Sequence, residues 1–155
     1  RALNALGYRA FDIEDDPYGL FMMVRRDTGE CYLDFDNADM EKVNNGRWIC
    51  DIEKLKELLS KQTEDIAFYC GIASNNEEVM SLFDVSILLR ASPEVLNKRL
   101  LTREGTSDCA NTEAGRQRVL SWKSEGEERM IKLGMTIVDA NPDPKTVAEE
   151  IVRLI

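Results

Sequence analysis

Apolar positions along this chain follow two rhythms, short unbroken runs and three-to-four-residue spacings, and the two alternate. Ile66-Ala67-Phe68-Tyr69-Cys70 and Val85-Ser86-Ile87-Leu88-Leu89 are the runs, the pattern of strands covered on both faces in a parallel sheet. Met135–Val138 is a third, and Tyr8–Asp12 predicts a shorter strand that ends in acidic residues. Helical spacing fills the intervals. Asp51 caps a helix with Ile52, Leu55, Leu58 and Leu59 on one face, and Glu77–Phe83 is a short helix. Ser92-Pro93-Glu94 opens another that runs through Val95, Leu96, Leu100 and Leu101. Glu113–Leu133 is a long one, and Asp143-Pro144 starts the last, with Val147, Ile151 and Leu154 inside. Side-chain oxygens before a periodic run, with Pro in its first turn, are helix-start signals. Strands alternating with helices predict an α/β fold, a mostly parallel sheet flanked by helices, over the whole 1–155 as one domain.

Three stretches stand outside this alternation. Leu20–Arg26 and Glu30–Phe35, around Asp27-Thr28-Gly29, predict a β-hairpin insertion near 20–35. Val43–Arg47 reads as loop, and polar Thr102–Thr112 as a surface loop. At the start, Arg1–Leu6 reads as the last two turns of a helix stopped by Gly7, so the expectation is a domain whose first elements lie upstream.

Charge and composition narrow the partners. A net charge of -9 over 155 residues argues against nucleic acid, whose phosphates require a basic stripe. The longest apolar runs are far too short to span a membrane. Cys31, Cys50, Cys70 and Cys109 are widely spaced without a C-x-x-C pair, which fits free buried thiols in a cytoplasmic protein rather than a metal cluster or disulfide framework. The chain has no His. General bases are thereby limited to carboxylates, Lys or Tyr, and Ser-His or Cys-His nucleophile schemes are excluded.

Ligands of parallel α/β sheets bind beyond the carboxyl ends of the strands. Three polar groups fall there: Asp12, Glu14 and Asp15; Gly71 to Asn75; and Asp139-Ala140-Asn141. Each has a plain alternative. Acidic residues after a strand can be a solvated turn, and Gly71 and Asn75 a tight turn. Asn141-Pro142 can be a strand-to-helix turn, and Arg99 a surface partner of a nearby Glu. Trp48, Trp122 and the Met22-Met23 pair suit packing better than base stacking, and Glu125–Glu128 suits a wet helix face.

In order, Gly7-Tyr8-Arg9-Ala10-Phe11-Asp12 with its acidic tail, Tyr69–Asn75, Ser92-Pro93-Glu94…Arg99-Leu100…Arg103 and Val138–Pro142 resemble the P-loop nucleoside monophosphate and small-molecule kinases (adenylate-kinase-like and shikimate-kinase-like). The resemblance implies a five-stranded parallel sheet, ATP and Mg²⁺ as cofactors, a small-molecule acceptor and a lid near 102–118. It implies that Asp12 orients or deprotonates the acceptor hydroxyl, with Glu14, Asp15, Gly71 and Asn75 around the substrate. Arg103 and Arg116 would neutralise the transferring phosphate, with Arg118 a weaker candidate. Arg99, Asn141 and Pro142 would lie against the nucleotide. Arg25, Arg26 and Arg47 are the cations available to clamp a monophosphate. The departure is the phosphate loop: G-x-x-x-x-G-K-[ST] is missing, and no Gly-Lys dipeptide occurs anywhere in the chain. The expectation is therefore a kinase-type domain inactive as this chain, with a gap where the central strand belongs. A non-catalytic nucleotide-binding or protein-interaction module is the alternative.

Overall fold

A computed structural model describes residues 1–14, 16–102, 110 and 112–155, without the side chain of Asp16. Asp15, Arg103, Cys109 and most of the expected lid loop lie outside the described residues.

The first helical turn, α1 (Ala2–Ala5), closes at Gly7, which takes φ 90° and so turns the chain into β1 (Arg9–Asp12). Then come β2 (Phe21–Arg25), α2 (Met40–Asn45), β3 (Gly46–Cys50), α3 (Ile52–Ser60), β4 (Ala67–Cys70) and α4 (Asn76–Met80). The chain continues as β5 (Ile87–Arg90), α5 (Pro93–Thr102), α6 (Glu113–Lys132), β6 (Thr136–Asp139) and α7 (Pro144–Val152). The helix starts follow the capping chemistry of the sequence. Asp51 accepts from the backbone of Glu53 and Lys54, and Asp143 from that of Lys145 and Thr146.

The architecture is mixed α/β, with small parallel and antiparallel sheets flanked by helices. The described strands form three pairs: β1 with β4, parallel; β2 with β3, antiparallel; β5 with β6, parallel. Register runs Arg9↔Ala67 to Asp12↔Cys70 in the first pair and Ile87↔Thr136 to Arg90↔Asp139 in the third. A five-stranded sheet does not form among the described residues.

The hairpin near 20–35 needs correction. A turn does close there, with the Arg25 N–H donating to Glu30 O at 2.8 Å, but Cys31 contributes only an isolated bridge to Val24. The ladder partner of β2 is β3, which pairs Phe21↔Cys50 through Arg25↔Gly46. Val43–Arg47, expected as loop, is accordingly the end of α2 and the start of β3.

Two apolar clusters result. One joins Leu3 to Val138, Val147, Ala148 and Ile151, with Phe68 and Ile87 packed against it. The other gathers Ile13, Leu20, Cys50, Leu55 and Ala73, with Val79 and Phe83 beside it. No described helix is long and apolar enough to cross a membrane.

Candidate functional site

At the carboxyl ends of β1 and β4, the chain that follows β1 is fastened to the chain that follows β4. Asp12 stands opposite Cys70 in the parallel register, and its Oδ1 accepts the Glu14 N–H at 3.3 Å. Glu14 reaches across: its Oε1 accepts the Ile72 N–H at 3.0 Å and its Oε2 the Trp48 indole N–H at 2.8 Å. Trp48 also stacks on Phe21 at 5.4 Å. Gly71 makes this approach possible. A Cβ there would sit 2.9 Å from Ile13 Cγ1 and 3.3 Å from Glu14 Cγ, closer than packed atoms tolerate.

Asn75 belongs to the scaffold. It is buried, its Oδ1 accepts the Cys50 N–H and its Nδ2 donates to Cys50 O, both at 3.0 Å. The Ser74 N–H donates to Trp48 O at 2.6 Å, so the turn after β4 is stitched along β3. A buried amide that satisfies one residue's N–H and C=O together holds a strand in register. The substrate-side group thus divides. Asp12, Glu14 and Gly71 come together, Asn75 faces inward, and Asp15 lies outside the described residues.

The nucleotide-side group assembles beyond the β5–β6 pair. Arg99 donates to three carbonyls, Ala140 O at 2.7 Å, Pro142 O at 2.8 Å and Asn141 O at 3.3 Å. Asn141 Oδ1 accepts the Ser92 N–H at 2.7 Å, and its Nδ2 donates to Asp139 Oδ1 at 2.7 Å. Arg99, Asn141 and Pro142 therefore share one site, with the guanidinium directed to backbone oxygens.

Of the expected phosphate-neutralising pair, Arg103 lies outside the described residues. Arg116 is largely covered and ion-paired to Glu113 at 2.6 Å. Arg118 lies over the Trp122 ring at 4.5 Å, a packing role for both side chains. Arg25 sits over Tyr32 at 4.4 Å, and Arg26 donates to Gly46 O at 3.4 Å. The neighbouring cavity of about 520 Å³ mixes Arg25, Arg26 and Lys42 with Asp27, Asp39 and Glu41. A monophosphate would meet both signs of charge there.

One charged group escaped the sequence reading. Glu127, expected on a wet helix face, is only 13% exposed and sits between Arg90 on β5 at 3.2 Å and Lys123 at 2.6 Å. Its signal was the lone Arg closing an apolar run. Cys50, 1% exposed, lies at the centre of the second cluster, and burial pushes its thiol from 9.0 up to about 11. Cys31 and Cys70 are exposed, contrary to the expectation of buried thiols.

No family model, no curated protein and no solved structure matches this chain.

Proposed function

We propose that the chain is the body of an ATP-dependent phosphotransferase of the small-molecule or nucleotide kinase type. One observation carries the reading: two parallel strand pairs each end in a polar turn at the carboxyl edge, where α/β sheets take ligands. Asp12, Glu14 and Gly71 lie beyond β1–β4, and Arg99, Asn141 and Pro142 beyond β5–β6. Asp12 is the carboxylate that would accept or orient an acceptor hydroxyl; Glu14, held by Trp48 and Ile72, positions the turn that carries it.

The residues present do not complete an ATP phosphate site. Phosphoryl transfer consists largely of positioning and charge neutralisation by a backbone cradle with its Lys, and this chain has no Gly-Lys dipeptide to supply one. No step is derived through the nucleotide, and the 155 residues alone are expected to transfer no phosphate. Among the described residues no group of three or more acidic or Cys side chains could hold a metal ion. Mg²⁺ usually enters with the phosphates and one or two carboxylates, and Asp12 is one carboxylate at that edge, beside Glu14.

The satisfied guanidinium of Arg99 favours a second reading, a nucleotide-binding or interaction module without turnover. Incubating the full-length protein with γ-labelled ATP, Mg²⁺ and a pool of nucleoside monophosphates and hydroxylated metabolites separates the two. Label transfer that falls at least a hundredfold in Asp12→Asn supports the kinase. ATP binding without transfer supports the module, and neither binding nor transfer overturns both.

A further inference from the structure

We infer that Met22 and Cys31 form a binding site for a soft monovalent cation, with Cu(I) as the biological ion. The Cys31 thiol donates to Met22 Sδ at 3.5 Å, so a thiol and a thioether already face one another. Among the described residues no other thiol meets a thioether. Thiolate and thioether donors together select Cu(I) over the harder ions that carboxylates and carbonyls hold. Zn²⁺ takes four ligands in a structural site. The chain has no His, and its described residues hold no group of three or more Cys, Asp or Glu that could bind a metal ion. Cu(I), a filled-shell ion of single charge, is satisfied by two sulfurs.

Backbone pairing puts the two sulfurs on one face. Cys31 stands opposite Val24 in an isolated antiparallel bridge, and Met22 lies two residues before Val24 on β2. Residues two apart on a strand share a face. Cys31 and Met22 are therefore diagonal neighbours across the pair, within reach of a long side chain. The turn between them is closed. The Arg25 N–H donates to Glu30 O at 2.8 Å, the Gly29 N–H to Arg25 O at 2.9 Å and the Tyr32 N–H to Met23 O at 2.9 Å. On the other side Met22 pairs with Ile49 of β3. Both donors project from fixed backbone, which reduces the ordering cost of binding. Neither belongs to the two apolar clusters, and Cys31 is an exposed free thiol that an ion reaches from solvent.

The spacing suits a shared ion. Two sulfurs bonded to one metal at about 2.3 Å each stand about 3.8 Å apart at a tetrahedral angle and about 4.6 Å apart in line. From 3.5 Å the pair opens by about 1 Å at most, which the unbranched Met22 side chain supplies by rotation. In the binding step the Cys31 S–H bond breaks, its proton passes to solvent, and two Cu–S bonds form with no change of oxidation state. Affinity accordingly rises with pH. Neither residue belongs to the turns beyond β1–β4 and β5–β6, so the inference stands apart from the kinase reading.

The test is anaerobic titration of the chain with Cu(I), buffered by a competing bicinchoninate chelator. Cys70→Ser and Cys109→Ser are introduced first, so that Cys31 is the one exposed thiol among the described residues. This parent should take up one Cu(I) per chain. Met22→Leu, which conserves volume, should weaken uptake at least tenfold, and Cys31→Ser at least a hundredfold. Ag(I), a diamagnetic substitute, should shift the Met22 ε-methyl resonance at one equivalent and leave that of Met23 in place. Equal affinity in Met22→Leu overturns the inference, because a single thiolate would then be the whole site. An unmoved Met22 methyl, uptake retained by Cys31→Ser, or one ion shared by two chains overturns it as well.

Discussion

The β1–β4 half of the molecule and the α5–α6 side of the β5–β6 half are held by different physics. Around β1 and β4, Leu55 is fully buried, Cys50 is 1% exposed, and the polar contacts of Asn75 and Glu14 are internal links between neighbouring segments. Around β5 and β6, α5 contributes no buried residue and the 20-residue α6 buries only Gly115 and Met130. Charged groups join those helices to the rest: Arg99 on three carbonyls, and Glu127 between Arg90 and Lys123. Apolar burial depends little on salt, whereas half-exposed ion pairs are screened. The α5–α6 side should be the first to open, and the one that ionic strength tunes.

Mutations sharpen this contrast, and the deepest side chain should give the largest effect. Leu55→Ala should cost about 3 kcal/mol, the transfer and cavity terms of a filled core, as a fall in urea midpoint at unchanged slope. Asn75→Ala strands the N–H and C=O of Cys50 and should cost about 2 kcal/mol, with faster hydrogen exchange along β3. Arg99→Met should cost about 1 kcal/mol, since its three bonds are partly wet, and the loosening should appear in α5 rather than in α3. If Arg99→Met proves as costly as Leu55→Ala, the contrast between the halves fails. Glu127→Gln should cost about 1 kcal/mol at low salt and less at 1 M NaCl, because the Arg90 arm, 54% exposed, is screened while the covered Lys123 arm is screened much less.

The starts of α3, α5 and α7, the three apolar runs and the strand ends were legible because local chemistry dictates them, whereas α2 with its Asp39 cap was missed. Asp51 and Asp143 cap, Gly7 turns left-handed, and both faces of a buried run must be apolar. What stayed hidden was non-local. β3 begins in Gly46-Arg47, straight after the Asn44-Asn45 that ends α2, a polar and turn-like stretch, and becomes a strand only because β2 lies beside it. Asn75 at a strand end has the composition of a ligand contact. Only the fold reveals that its amide is turned to Cys50. Glu127 carries the same ambiguity, since a helix face is wet or dry according to what packs on it.

A pH series tests the buried half alone. Cys50 has its folded value raised from 9.0 to about 11. The folded state therefore holds a proton that the unfolded chain releases, and stability is intact below about pH 9 and erodes between 9 and 11. The difference in urea midpoint between the parent and Cys50→Ala should be flat from pH 6 to 8.5 and should narrow above 9. At neutral pH a thiol reagent should label Cys31 and Cys70 while Cys50 waits for unfolding.

Arg99 has a mechanical consequence. Its guanidinium rivets the last turns of α5 to the bend that leads into α7, so displacing that helix tugs the bend as well. Any anion seeking this arginine must first prise it from three oxygens. Occupancy there would be felt at the carboxyl end of β6 as a loosened bend, not as a silent binding event.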